Sequence, residues 1–109
     1  MLHGKNLEIT PAIRDFVEEK IGSLSRFLPG SADDLIEARV EIGRPSHHHR
    51  TGFVFYAEAN LKVGKKLFRA VEEHIDLRAA IDRVRDELET QIKKFKEKTN
   101  SSQRRVKEV

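Results

Sequence analysis

Two stretches with an apolar residue at every second position constrain the fold of this chain more than any other feature. They run over Leu35–Ile42 and Phe53–Val63. Alternation with a period of two is typical of a β-strand that buries one face. A third strand, Lys66–Glu73, is predicted to return after the tight turn Gly64–Lys65. A sheet with one apolar face has to be covered, so the remaining segments must supply amphipathic helices.

The direction of the third strand's buried face is less clear from its residues. Phe68 and Ala70 continue the apolar face of the preceding strands. Leu67 and Val71, however, are apolar as well and lie on the opposite face. The alternation therefore favours Phe68 and Ala70 as core residues and leaves the assignment open.

Two amphipathic segments can cover the sheet. The first begins at Thr10–Pro11, because Thr is a good N-cap and Pro is favoured at the first helical position. Pro29–Gly30 is expected to end it. The second begins at about Asp76, an N-cap type, and ends at about Lys98. Its apolar stripe consists of Leu77, Ile81, Val84, Leu88, Ile92 and Phe95.

The element order predicts an α+β fold. Met1–His3 reads as a very short strand before the turn-like Gly4–Asn6, which gives the order β-α-β-β-β-α. We expect a two-layer sandwich, with a four-stranded sheet and both helices on one face. The first helix connects two parallel strands, with a right-handed connection, and the other strands form an antiparallel meander. Residues 1–98 form the domain, and residues 99–109 are expected to be a flexible basic tail.

Composition and missing motifs exclude several functions. Without Cys there is neither a disulfide nor a thiolate metal site, which suits the cytoplasm. No apolar run reaches membrane-spanning length, so no membrane partner is expected. Nucleophile motifs, Gly-rich phosphate loops and paired catalytic carboxylates are missing, so we expect no enzymatic activity, cofactor or small-molecule substrate. Adjacent histidines His47–His49 favour a solvated loop over a metal site.

Positive charge is concentrated towards the C-terminus. From Lys93 onward there are seven Lys and Arg against two acidic residues, whereas the first 92 residues carry 14 basic and 16 acidic ones. On the last helix, basic residues line both flanks of the apolar stripe: Arg78, Arg85 and Lys96 on one, Arg83, Lys94 and Lys98 on the other. Acidic residues three or four positions away can pair with them, so a solvated, salt-bridged helix remains open.

A polyanion is the other partner that such a helix suits. Lys and Arg contact phosphates and position a domain without reading bases. The aromatic residues do not form a stacking ladder for single strands. Folded RNA recognised by its shape and backbone is therefore the favoured nucleic-acid partner.

Three segments of the chain carry a family resemblance. Gly4–Arg14 couples a turn, a strand end and a Thr-Pro helix start, while Asp76–Asp82 and Leu88–Lys98 belong to the last helix. Together they resemble the ribosome hibernation-promoting factor and ribosome-associated inhibitor family over residues 1–98. The resemblance implies the same β-α-β-β-β-α order, similar to a double-stranded RNA-binding domain.

The function that the resemblance implies is inhibition of translation. Residues 1–98 would bind the small ribosomal subunit and its ribosomal RNA in the messenger-RNA and transfer-RNA channel. Idle ribosomes would thereby be preserved under stress, and the free chain is expected to be a monomer. Long family members carry a further dimerising domain, so the chain fits either a short form or the N-terminal domain of a long one.

Contacts to ribosomal RNA phosphates are expected from basic residues on both helices. By position, Lys5, Lys20, Arg26 and Lys94 match basic places in the family. The full candidate set is Lys5, Lys20, Arg26, Arg78, Arg83, Arg85, Lys93, Lys94, Lys96 and Lys98. We expect the flank of Arg83, Lys94 and Lys98 to act together with Lys20 and Arg26.

Three positions depart from the family pattern. Ser23, Glu87 and Thr90 stand where members often have basic residues, and Arg83, one turn away, is a hypothetical replacement. The near-neutral body of the chain also leaves an alternative open. A protein-interaction or dimerisation module could modulate a stress regulator through the sheet without binding RNA.

Overall fold

The strands and helices follow the order that the alternation and the apolar stripe predict. The computed structural model describes residues 1–28, 36–45 and 54–98 in full and the backbone of residues 99–108. Its elements are β1 (Leu2–Lys5), α1 (Pro11–Gly22), a short 3-10 helix (Ser23–Phe27), β2 (Ile36–Gly43), β3 (Phe55–Val63), β4 (Lys66–His74) and α2 (Leu77–Glu108). The predicted turn Pro29–Gly30 and the loop histidines His47–His49 lie outside the described residues.

The four strands form one mixed sheet in the order β1-β2-β3-β4. β1 pairs with β2 in parallel, and β2, β3 and β4 form the antiparallel meander that the sequence predicts. β1 occupies Leu2–Lys5 instead of Met1–His3, because its register with β2 continues through Gly4 and ends with Lys5 opposite Gly43. The predicted turn therefore starts later than the sequence indicates.

Both helices cover the same face of the sheet. Val40, Ala59 and Ala70 are cross-strand neighbours on this face, and all are buried. Phe68 is 2% exposed, whereas Leu67 and Val71 are 56% and 50% exposed on the opposite face, which settles the assignment that the sequence leaves open. The strands also contribute Ile42, Ala57, Leu61 and Val63 to the core, and the helices contribute Val17, Leu24, Ala80, Ile81, Val84, Leu88 and Ile92.

The helix ends depart from the predictions in two places. α1 begins as expected, with Thr10 Oγ1 accepting the Ile13 N–H at 3.2 Å. It ends at Gly22, because the Ser23 hydroxyl donates to the Lys20 carbonyl at 2.7 Å and the chain tightens into the 3-10 helix. α2 is predicted to end near Lys98 but continues to Glu108, since no Gly or Pro interrupts it. Independent motion of residues 99–109 stays a prediction.

A glutamine of α2 closes the outer edge of the sheet. β4 is an edge strand, and its residue Arg69 bonds to the Gln91 side chain twice. The Arg69 N–H donates to Gln91 Oε1 at 3.3 Å, and Gln91 Nε2 donates to the Arg69 carbonyl at 2.8 Å. Exposed strand edges can template pairing with other chains, so this side chain protects the edge and ties α2 to β4.

Replacing Gln91 should open that edge. We expect Gln91→Leu to speed hydrogen exchange at the Arg69 amide roughly 2- to 10-fold, the equivalent of removing one hydrogen bond. The Ala70 amide is the internal control, because Ala70 pairs with Ala59 inside the sheet. Exchange monitored by NMR measures both amides, and an unchanged Arg69 rate would refute the protection by Gln91.

Two glycines should respond to alanine with opposite signs. A Cβ on Gly43 would collide with the Lys5 carbonyl of β1, so Gly43→Ala should lower the free energy of unfolding by about 1–3 kcal/mol. At Gly22 the added Cβ would meet no described atom within 4 Å beyond its chain neighbours and the backbone of its own helix. Gly22→Ala should therefore raise that free energy by roughly 0.4–1 kcal/mol. Urea unfolding followed by circular dichroism measures both, and a neutral Gly43→Ala would contradict the close approach.

Candidate nucleic-acid interface

Helix α2 divides the basic residues of the domain between two surfaces. One side of the helix faces α1 and the 3-10 helix, and the other faces β4. The α1-side surface consists of Lys20, Arg26, Arg78, Arg85, Lys93 and Lys96. The β4-side surface consists of Lys66, Arg83, Lys94 and Lys98. The buried stripe of α2 lies between them and separates the two sets.

Acidic residues partly neutralise the α1-side surface. Lys20 Nζ lies 3.2 Å from an Asp82 carboxylate oxygen. Glu89 forms ion pairs with both Arg85 and Lys93, the latter at 3.0 Å. Hydrogen bonds from Lys93 and Arg85 hold the pKa of Glu89 below its usual value, although partial burial opposes them. Glu89 is therefore ionised at neutral pH, and the surface carries less positive charge than its six bases suggest.

Arg85 is mainly a structural residue of this surface. Its side chain is only 14% exposed. The guanidinium donates to Ser23 Oγ at 3.2 Å, which ties α2 to the 3-10 helix. Such contacts leave few guanidinium N–H groups for a phosphate.

Two phenylalanine rings contact five of the six cations of this surface. Lys20 and Arg78 lie 5.4 and 5.1 Å from the centroid of the Phe16 ring. Arg26, Arg85 and Lys93 lie 5.0, 5.8 and 5.0 Å from the centroid of the Phe27 ring. Cation–π contacts orient a side chain without cancelling its charge. The α1-side surface is thus ordered and cationic, and its rings are already occupied.

The β4-side surface keeps its charge. Within the described part of the chain, none of its four cations forms an ion pair with a carboxylate. Lys66, Lys94 and Lys98 line a groove of about 300 Å³, which Phe68 and Phe95 also line. Sequence reasoning misses Lys66. The signal for it is the Gly64–Lys65 turn, which begins β4 with a lysine.

The structure does not bring together all of the predicted site residues. Lys20 contacts Asp82 and Arg26 contacts Phe27, so both lie on the α1 side and apart from Arg83, Lys94 and Lys98. Lys5 lies apart from both surfaces, at the end of β1. The single face expected from the sequence is therefore replaced by two.

The three residues that depart from the family pattern have local partners. Ser23 accepts a hydrogen bond from Arg85. Glu87 Oε1 accepts from Gln91 Nε2 at 3.2 Å. The Thr90 hydroxyl donates to the Asp86 carbonyl at 3.1 Å. Arg83 lies one turn before Glu87 on the same side and is exposed, as its suggested role as a replacement requires.

Other kinds of site find no support in the described residues. Over that part of the chain, no three His, Asp or Glu side chains gather into a group that could hold a metal ion. Its helices also include none that is long and apolar enough to cross a membrane.

The fold and the two surfaces define the chain as a small α+β domain with an exposed cationic helix. Residues 1–100 match the family described as Sigma 54 modulation protein / S30EA ribosomal protein, and the chain belongs to that family. It is 38% identical over 97 residues to the ribosome hibernation promotion factor of Deinococcus radiodurans, covering 87% of this chain and 47% of that protein. It is also 33% identical over 103 residues to the ribosome hibernation promotion factor of Staphylococcus aureus, and this match covers 94% of this chain and 50% of that protein. The chain spans about half the length of these curated relatives.

Solved structures agree with this assignment. The crystal structure of the Thermus thermophilus Protein Y N-terminal domain is 41% identical, with a TM-score of 0.70, and the match covers 86% of this chain and 93% of that one. The structure of a ribosomal subunit interface protein from Coxiella burnetii is 24% identical, with a TM-score of 0.63, and the match covers 87% of this chain and 93% of that one. At this identity the match supports the fold only. The family and the α+β fold expected from the sequence are therefore confirmed.

Arg83 and Arg85 should differ in how much each contributes to the stability of the domain. Arg85→Ala removes the link to Ser23 and the pair with Glu89, so we expect the free energy of unfolding to fall by roughly 1–3 kcal/mol. Arg83→Ala should change it by less than about 0.5 kcal/mol, because Arg83 is exposed. Urea unfolding of both variants provides the comparison. Equal stability losses would argue against a structural role for Arg85.

Proposed function

We propose that this chain binds the small ribosomal subunit in the channel for messenger RNA and transfer RNA and inhibits translation there. Idle ribosomes are thereby preserved under stress. The match of residues 1–100 to the S30EA family carries the proposal. The names of the curated relatives, ribosome hibernation promotion factors, support it.

The mode of action that we propose is occupancy of a site. The chain is a monomer when free; it acts in the cytoplasm and engages ribosomal RNA, without catalysis and without a cofactor. Residues 1–98 form the ribosome-binding domain, and residues 99–109 extend its basic end. Each phosphate that a lysine or arginine neutralises releases counterions, so the affinity depends on salt.

Recognition of the RNA backbone suits the two surfaces better than stacking of bases. The faces of Phe16 and Phe27 already carry cations, which leaves them poorly placed to stack on unpaired bases. Phosphate contacts position a protein on folded RNA without reading sequence. We assign the larger share of these contacts to the β4-side surface, whose cations have no carboxylate partner among the described residues.

Charge reversal on one face should test the proposal. We expect Arg83→Glu combined with Lys94→Glu to weaken co-sedimentation with purified small subunits at least about tenfold. The slope of log affinity against log salt should become shallower by about 0.7–0.9 for each phosphate that the variant no longer neutralises. The free energy of unfolding should stay nearly constant, because both side chains are exposed.

Arg39→Glu combined with Lys62→Glu is the matched control. It changes the charge equally, on the exposed face of the sheet. Equal loss of binding in both double variants would show that only net charge matters and would reject the assigned surface. Lack of binding by the unmodified chain at low salt would reject the proposal itself.

The alternative, a protein-interaction module, makes a different prediction for the same preparations. Leu67 and Val71 expose apolar surface beside the Arg69–Glu58 ion pair on the open face of the sheet. A dimer that persists at high salt, combined with no affinity for small subunits, would favour that module. Sedimentation equilibrium of the free chain measures its oligomeric state.

A further inference from the structure

The groove between β4 and α2 combines cations with apolar atoms. Its lining consists of Lys66, Leu67, Phe68, Gln91, Lys94, Phe95 and Lys98, around a volume of about 300 Å³. No carboxylate belongs to this lining. Elsewhere in the described residues, cations such as Lys20, Arg69 and Lys93 pair with acids. The groove is therefore a local excess of positive charge beside apolar side chains.

The walls of this groove are held in position. Phe68 and Phe95 pack edge to face, with ring centroids 5.8 Å apart. Lys66 Nζ lies 5.6 and 5.2 Å from these two centroids, so its ammonium is fixed against the rings. Gln91 is held by its two bonds to the Arg69 backbone. A site ordered in advance loses less conformational freedom on binding.

The nearest turn of α2 carries one carboxylate, which does not belong to the lining of the groove. Glu87 lies one turn before Gln91 on the same side of the helix, and its carboxylate accepts a hydrogen bond from Gln91 Nε2. Lys94 and Lys98 are spaced one turn apart in the other direction, and both residues line the groove. An anion that enters from the C-terminal end of α2 meets the lysines before it meets Glu87.

We propose that this groove binds one nucleoside phosphate unit. The phosphate is held by the ammonium groups of Lys66, Lys94 and Lys98, and the ribose lies against Phe95, whose ring face already carries the Lys66 ammonium. Charge-assisted hydrogen bonds suit the phosphate. The apolar side chains suit a nucleoside and would contribute nothing to an inorganic anion. An RNA chain is the expected source of the unit, and to that extent the inference rests on the proposed function.

NMR titration of the isotope-labelled full chain tests the groove. The ligands are inorganic phosphate, adenosine monophosphate and a single-stranded RNA hexamer. We expect both nucleotide ligands to shift the amides of Lys66, Leu67 and Phe95. Adenosine monophosphate should bind several-fold more tightly than inorganic phosphate, and the hexamer should bind more tightly than either if RNA is the source. A free mononucleotide that matches the hexamer would identify a soluble nucleotide as the source instead.

Lys66→Gln is the decisive variant. It should weaken nucleotide binding roughly fivefold, the effect of removing one ammonium group from the phosphate. Lys62→Gln, on the open face of the neighbouring strand, is the matched control and should leave binding unchanged. Equal affinity for phosphate and mononucleotide would overturn the nucleoside part of the site. Unshifted groove amides with all ligands, or an inert Lys66→Gln, would overturn the site altogether.

Co-sedimentation separates this inference from the proposed function. A chain that pellets with small subunits but has an inert groove keeps the function and loses the nucleotide site. A chain whose groove binds nucleotide but which does not pellet keeps the site and loses the function.

Discussion

Burial of the apolar stripe of α2 against β3 and β4 is the interaction on which the rest of the structure depends. Ile81, Leu88 and Ile92 are at most 1% exposed, and full burial of such a side chain contributes about 1.5–3 kcal/mol. The stripe also fixes the rotation of the helix about its own axis. Because successive residues are about 100° apart, that rotation decides which side every charged residue of α2 faces.

The rotation explains why the two basic surfaces differ. Asp82 and Glu89 are seven residues apart, so they face the same side of α2 and meet the cations near α1 and the 3-10 helix. On the β4 side, Glu87 is engaged by Gln91, and the lysines further along have no described acid to pair with. The local charge of each surface therefore does not follow its number of bases. The positions of the acidic residues therefore decide which surface would attract a polyanion more strongly.

Much of the fold can be predicted from local patterns, because each pattern reports which face an element buries. Alternation locates β2 and β3, and the stripe locates the core of α2. The pattern does not decide which face of β4 is buried, because Leu67 and Phe68 are both apolar. The register of Leu67 opposite Lys62 places it on the open face. The apolar spacing does not predict the end of α1 for a different reason. The Ser23 hydroxyl competes for the Lys20 carbonyl, and a side-chain hydrogen bond of this kind leaves no trace in the apolar spacing.

The candidate site is less predictable, because it depends on which elements become neighbours. A helical wheel separates two flanks of α2 correctly, but it does not say that one flank meets α1 and the other β4. The sequence therefore groups Lys20 with the wrong flank, and its actual neighbour is Asp82. Lys66 escapes prediction because it joins Lys94 and Lys98 only when the start of β4 packs beside α2.

Ser23 shows how the α1-side surface tolerates a departure from the family pattern. Its hydroxyl donates to the Lys20 carbonyl and accepts from Arg85, so one small side chain serves both the end of α1 and the position of Arg85. A lysine at this position could not accept from Arg85, and it would add another cation beside the Phe27 ring, where three already lie. Serine therefore relieves repulsion at the cost of one possible phosphate contact. Under the proposed function, the lysines of the β4 side, which form no ion pair among the described residues, are best placed to offset that loss.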